Sequence, residues 1–154
     1  MVKGTHLFPS LIGLVIGLDV LLLLMPPGLS MLDARLWYSA ADALAFLEEL
    51  GPVGRTKYFV HECLDLVFIA AYTVLLRQLA TRWRLAPRNL LFAPGAADFI
   101  ETTGILVLLS MGTPRSSTIA TVIGYATCSK WLAFLAVIVT FATGFLKRAG
   151  KQPR

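Results

Sequence analysis

Cysteine and histidine are scarce in this chain, two of each among 154 residues. Cys63 and Cys128 are isolated in apolar surroundings. That excludes a secreted disulfide framework and a CxxC metal site, and leaves buried structural thiols. Charge is scarce as well. Asp, Glu, Lys and Arg make up 15% of the residues, against 56% hydrophobic residues and a mean hydropathy of +0.72. A soluble domain carries about 25% charged residues, so an aqueous globular core is excluded.

Long apolar runs are what the chain does have. A membrane-crossing helix needs about 20 mostly apolar residues. Four stretches qualify, at roughly 7–25, 57–80, 89–111 and 117–146. Helices are expected there, because a helix satisfies its own backbone hydrogen bonds in lipid. The length fits a single domain over 1–154. The fold class expected is therefore all-α: a polytopic bundle of four transmembrane helices. The first run could pass for a signal peptide. Asp19 interrupts it, however, and no small-x-small cleavage site follows Pro26-Pro27, so it reads as a retained span.

The net charge of +5 invites a nucleic-acid reading, and the placement of the charges argues against one. With four spans, the termini and the middle loop share one side. That side carries Lys3, Arg77, Arg82, Arg84, Arg88, Lys147, Arg148, Lys151 and Arg154. The other carries Arg35, Arg55, Lys57 and Arg115. Basic residues flanking spans are a topology signal. They place the N- and C-termini on the cytoplasmic or matrix side of a bacterial plasma membrane or mitochondrial inner membrane.

The connection from Met31 to Arg55 is the longest loop. Ser39-Ala-Ala-Asp42 resembles a capping box. The following Ala43, Leu44, Phe46, Leu47 and Leu50 share one helical face. Glu48 and Glu49 take the other, and Gly51-Pro52 ends the helix. A short amphipathic helix is expected on the membrane surface, with a lid over the outer end of the bundle as the alternative. Trp37 and Tyr38 suit the membrane interface. Pro94-Gly95 is placed to kink the third span, and Ser116-Ser117 to cap the fourth.

Five of the nine acidic residues fall inside the expected spans: Asp19, Glu62, Asp65, Asp98 and Glu101. Charged groups in hydrocarbon cost several kcal/mol and mark function by default. At 1.5 Å per residue, Asp19 lies about 9 Å below the outer end of its span, and Glu62 and Asp65 about 9–14 Å below theirs. Asp98 and Glu101 lie about 14–20 Å down, and Lys130 about 20 Å down. All four spans thus contribute polar groups to one layer. Glu62 and Asp65, and likewise Asp98 and Glu101, are three apart and share a face. Tyr58, Glu62, Asp65, Ile69 and Tyr72 form one stripe, and His61 is four residues from Asp65.

Five carboxylates facing Lys130 and His61 cannot all stay ionised. Protons, water, a metal or a cationic ligand must compensate, and Lys130 is expected to pair with Asp98 or Glu101. Polar contacts also hold membrane helices together, at about 0.6 kcal/mol each, so helix packing is a full alternative to a ligand pocket. The Glu-x-x-His pairs of di-iron bundles are missing, and no metal or cofactor is expected. No catalytic residue can be named. Gly13 and Gly17 form a GxxxG nearly opposite Asp19, and Ala120, Gly124 and Cys128 form a second small-residue stripe. Both are faces for helix packing or a partner.

Two resemblances attach to these residues. Gly51-Pro-Val-Gly-Arg55 with Tyr58, Leu64-Asp65-Leu66-Val67-Phe68, and Ala97-Asp98-Phe-Ile-Glu101 resemble a group of small four-span bacterial membrane proteins, a likeness that implies a fold and no activity. Asp19, Trp37-Tyr38 and Glu62-Cys63-Leu64 are similar in layout to EXPERA-type membrane proteins. That resemblance implies an acidic pocket at Asp19, Glu62 and Glu101 around a lipid-like amine or sterol. Lys130-Trp131 departs from its pattern in the fourth span. The function expected is a non-catalytic accessory subunit of a larger membrane complex, in contact with the bilayer and other membrane subunits and not with nucleic acid. The alternative is an EXPERA-like protein that binds or isomerises a lipid or sterol.

Overall fold

A computed structural model describes residues 7–25, 31–83, 88–111 and 116–149. The expected stop at Pro26-Pro27-Gly28 lies outside them, as do Lys3, Arg84, Arg115, Lys151 and Arg154 from the orientation argument. The fold is all-α. The helices are α1 (Leu7–Leu24), α2 (Ala40–Glu49), α3 (Gly51–Arg82), α4 (Ala93–Ser110) and α5 (Ser117–Ala149), with a 3-10 segment at Arg88–Phe92 before α4. Three stretches are long and apolar enough to cross a membrane: Gly51–Arg82, Asn89–Ser110 and Ser117–Leu146. The first apolar helix, Phe8–Leu24, is shorter.

Side-chain pairs fix the helix directions. Arg82 stacks on Phe8, so the end of α3 meets the start of α1. Tyr72 reaches Asp98 and Thr102 reaches Asp65, which sets α3 antiparallel to α4. Lys130 pairs with Asp98, and Thr127 donates to Glu101, which sets α4 antiparallel to α5. Tyr72 packs on Phe134 and Trp83 on Phe141, so α3 and α5 run parallel. The four long helices therefore alternate in direction along the chain.

The second expected span begins earlier than position 57. Gly51 adopts φ +61°, a left-handed value that a glycine takes without strain. It turns the chain sharply, and Pro52 then sits in the first turn of α3, where its missing N–H costs nothing. The Arg55 Nε donates to the Leu47 carbonyl at 2.8 Å and ties the new helix to the end of α2. Pro94 likewise sits in the first turn of α4, so it starts that helix and does not kink it. Ser116 accepts a hydrogen bond from the Ile119 N–H and caps α5. At 33 residues, α5 extends about 50 Å and must tilt or protrude from a hydrocarbon core of about 30 Å.

The capping box on α2 forms as its sequence suggests. Ser39 accepts from the Asp42 N–H at 3.1 Å, and Asp42 accepts from the Ser39 N–H at 3.0 Å. Those bonds hold the Asp42 carboxyl below its ordinary value. The apolar face of α2 is covered by protein. Ala43, Phe46 and Leu47 join Tyr58, Ile105, Leu108 and Ile123 in one buried cluster, and α2 packs on α5 and α3. Of the two readings of this helix, the lid describes its packing.

Candidate functional site

Glu62, Asp65, Asp98, Glu101 and Lys130 are all buried among α3, α4 and α5. Lys130 is the hub. Its Nζ lies 3.0 Å from Asp98 Oδ1 and 2.7 Å from Glu101 Oε2, so it pairs with both candidate carboxylates. It also donates to the Asp33 backbone carbonyl at 3.0 Å. Three oxygens from α4 and the loop before α2 thus surround the ammonium, two as ion pairs and one as a hydrogen-bond acceptor.

Each carboxylate beside the hub has further donors. Tyr72 donates to Asp98 at 2.9 Å. Tyr38 donates to Glu101 at 3.2 Å, and Thr127 donates to the same oxygen. Tyr38 was expected at the interface as a companion of Trp37. Instead Trp37 is exposed and Tyr38 is buried. Burial, with Glu101 next in importance, pushes the Tyr38 phenol far above its usual range, so it remains a donor. The loop carrying Tyr38 crosses α5 at Gly124. A Cβ there would collide with the Tyr38 carbonyl oxygen. The Gly124 stripe therefore seats a loop of this chain and is not a face for an outside partner. Gly13 and Gly17 differ: no described atom comes within 4 Å of a Cβ built on either.

The other half of the layer has no lysine. Asp65 accepts from Thr102 at 2.8 Å, and among the described residues no cationic side chain lies within ion-pair distance of it. Glu62 is fully buried, and neither carboxylate oxygen accepts a hydrogen bond of ordinary geometry, although the buried Tyr58 hydroxyl one turn earlier is close enough to interact with it. His61 does not bond Asp65, four residues on. Its Nδ1 lies 3.8 Å from Glu62 Oε1, too long for a hydrogen bond. Asp33, a loop residue with no helical period to assign it a face, joins this half. One ligand atom each from Asp33, His61 and Glu62 lie within 4.8 Å of one another.

A cavity of about 470 Å³ opens against this layer. Asp33, His61, Asp65, Asp98 and Lys130 form its polar end, and Leu22, Leu23, Phe68, Phe134 and Ile138 are among its apolar walls. Asp19 also lines it, although its own side chain is exposed on α1 and it takes no part in the buried network. The Trp131 indole donates to the Arg35 carbonyl at 2.7 Å and holds the loop over the cavity. The volume is within the range of small-molecule sites, about 300–1,000 Å³, and apolar walls with a few convergent polar groups are their usual chemistry.

Comparison of the chain with protein-family models, with curated proteins and with solved structures returns no match.

Proposed function

We propose that this protein is a four-span membrane protein that binds an amphipathic molecule with a basic headgroup. The observation that carries the reading is the cavity, whose walls are apolar and whose polar residues include Asp65, with no cationic side chain among the described residues within ion-pair distance. An ammonium group placed there satisfies the carboxylate, and the tail lies along Phe68, Phe134 and Ile138. The two requirements are independent, and one ligand class meets both.

The test uses the full chain in lipid nanodiscs with dodecylamine and dodecanol as probes. Saturable binding of the amine is expected, with the alcohol weaker by about tenfold or more, equivalent to ~1.4 kcal/mol. Asp65→Asn should remove that preference and keep the acceptor for Thr102. Ile138→Trp, which fills the wall, should abolish saturable binding of both probes. Equal, non-saturable uptake of both probes, unaffected by Ile138→Trp, overturns the reading.

In this reading α1 also spans, with both termini on the cytoplasmic or matrix side. Its 18 residues extend about 27 Å, just short of the hydrocarbon core. Single cysteines placed at Lys3, Arg82 and Gln152, in a chain lacking Cys63 and Cys128, should label from that side, and one at Glu48 from the other. Labelling of Lys3 from the face opposite Arg82, or of Arg82 and Gln152 from opposite faces, excludes four spans.

The second reading, an accessory subunit, rests on α1. The open face at Gly13 and Gly17 permits close approach by a helix of another subunit.

A further inference from the structure

Charge bookkeeping divides the acidic layer into two sites. Lys130 answers Asp98 and Glu101. No carboxylate oxygen of Asp33 or Glu62 lies within ion-pair distance of that ammonium, whose contact with this group is the Asp33 backbone carbonyl. Glu62 is at 0% exposure, neither of its oxygens accepts a hydrogen bond of ordinary geometry even from the neighbouring Tyr58 hydroxyl, and one Asp33 oxygen is buried without a partner. Neither His61 nitrogen makes a hydrogen bond of ordinary geometry. A carboxylate this deeply buried is costly in its ionised form unless paired or coordinated to a metal, and the alternative is to hold a proton.

We propose that Asp33, His61 and Glu62 bind one divalent first-row transition ion of the zinc or manganese class. Two carboxylates, a neutral imidazole and a dication sum to zero charge, which removes the cost of burying the acids. Imidazole with carboxylate suits Zn²⁺, Mn²⁺ and Fe²⁺, whereas Mg²⁺ prefers oxygens and keeps its waters. Metal–ligand bonds are about 2.0–2.2 Å, so neighbouring ligand atoms of a tetrahedral ion stand about 3.4 Å apart. The three ligand atoms all lie within 4.8 Å of one another and reach that spacing with shifts of up to roughly 0.7 Å each.

The surroundings fit a coordinating set. The Leu22 backbone lies near the His61 imidazole, and a ligating imidazole usually directs its second nitrogen at such an acceptor. Lys130 fixes the backbone that presents Asp33. Asp33 and His61 both line the cavity, so a coordination position left by three protein ligands faces that space, as in sites that bind water or substrate. The proposal does not depend on the amine reading, which uses Asp65.

The experiment is metal titration of the purified full chain in detergent after treatment with a chelator. Zn²⁺ should bind with a stoichiometry of one by elemental analysis. At about 100 times Kd it should raise Tm by roughly 5–10 °C, and Mg²⁺ should do neither. Glu62→Gln and Asp33→Asn, made separately, should each lose the Zn²⁺-dependent rise, while Asp65→Asn keeps it. Because the wild-type titration needs no variant to fold, it decides by itself. No stoichiometric Zn²⁺ binding by the wild type, or a Tm rise that persists in both Glu62→Gln and Asp33→Asn, overturns the proposal. Loss of amine binding with the Zn²⁺ rise intact would count against the proposed function alone.

Discussion

Lys130→Met is expected to cost about 3–5 kcal/mol of stability, because it leaves two buried carboxylates facing each other without their cation. The geometry makes the number large. Lys130 reaches Asp98 at 3.0 Å and Glu101 at 2.7 Å. It also supports the loop at Asp33. If these contacts were only helix glue, the loss would stay near the ~0.6 kcal/mol typical of polar contacts between membrane helices. Adding Asp98→Asn and Glu101→Gln should recover most of the loss, since replacing a whole buried ionic set is often close to neutral. Tyr72, Tyr38 and Thr127 still find carbonyl acceptors in the triple variant. The pair Asp98→Asn and Glu101→Gln with Lys130 retained should be as damaging as Lys130→Met, because it strands the ammonium. Denaturant titration in mixed micelles compares the four chains directly. Near-equal stability of wild type and Lys130→Met would remove the ionic hub from the account.

The second large effect is expected at Gly124. A Cβ there collides with the backbone carbonyl of Tyr38, and backbone has less freedom to yield than the end of a side chain. Gly124→Val should destabilise by about 3 kcal/mol, at the upper end of ordinary overpacking. It should also release Tyr38 from Glu101 and shift the loop that carries Asp33. Gly13→Val is the control. It faces open space among the described residues and should stay within about 0.5 kcal/mol. Equal costs at the two positions would mean that the loop is not seated on α5.

These two predictions show which parts of the molecule are readable from sequence. Lys130, Asp98 and Glu101 are legible because depth and helical spacing follow from a 1.5 Å rise and a 3.6-residue period. The capping box at Ser39 and Asp42 is legible because its chemistry is local. Asp33 and Tyr38 are not, since they sit in a non-helical segment with no periodicity to assign a face. An aromatic next to Trp37 at a span's end fits the interface equally well, and only the close approach at Gly124 reveals that Tyr38 turns inward. The start of α3 was obscured for a similar reason. Gly51-Pro52 reads as a stop, yet a positive φ at one residue lets the stop and the next start coincide. The face of α2 is legible in register and open in destination, because amphipathicity does not distinguish lipid from protein as the covering surface.

Native mass spectrometry of the chain, extracted from its membrane in mild detergent, tests the central claim most directly. The account predicts a protomer that retains a basic, lipid-like adduct, which is absent from Ile138→Trp prepared in the same way. A bare protomer released from a stoichiometric complex with other membrane subunits, with no such adduct in the wild type, would contradict it and favour the accessory-subunit reading carried by Gly13 and Gly17.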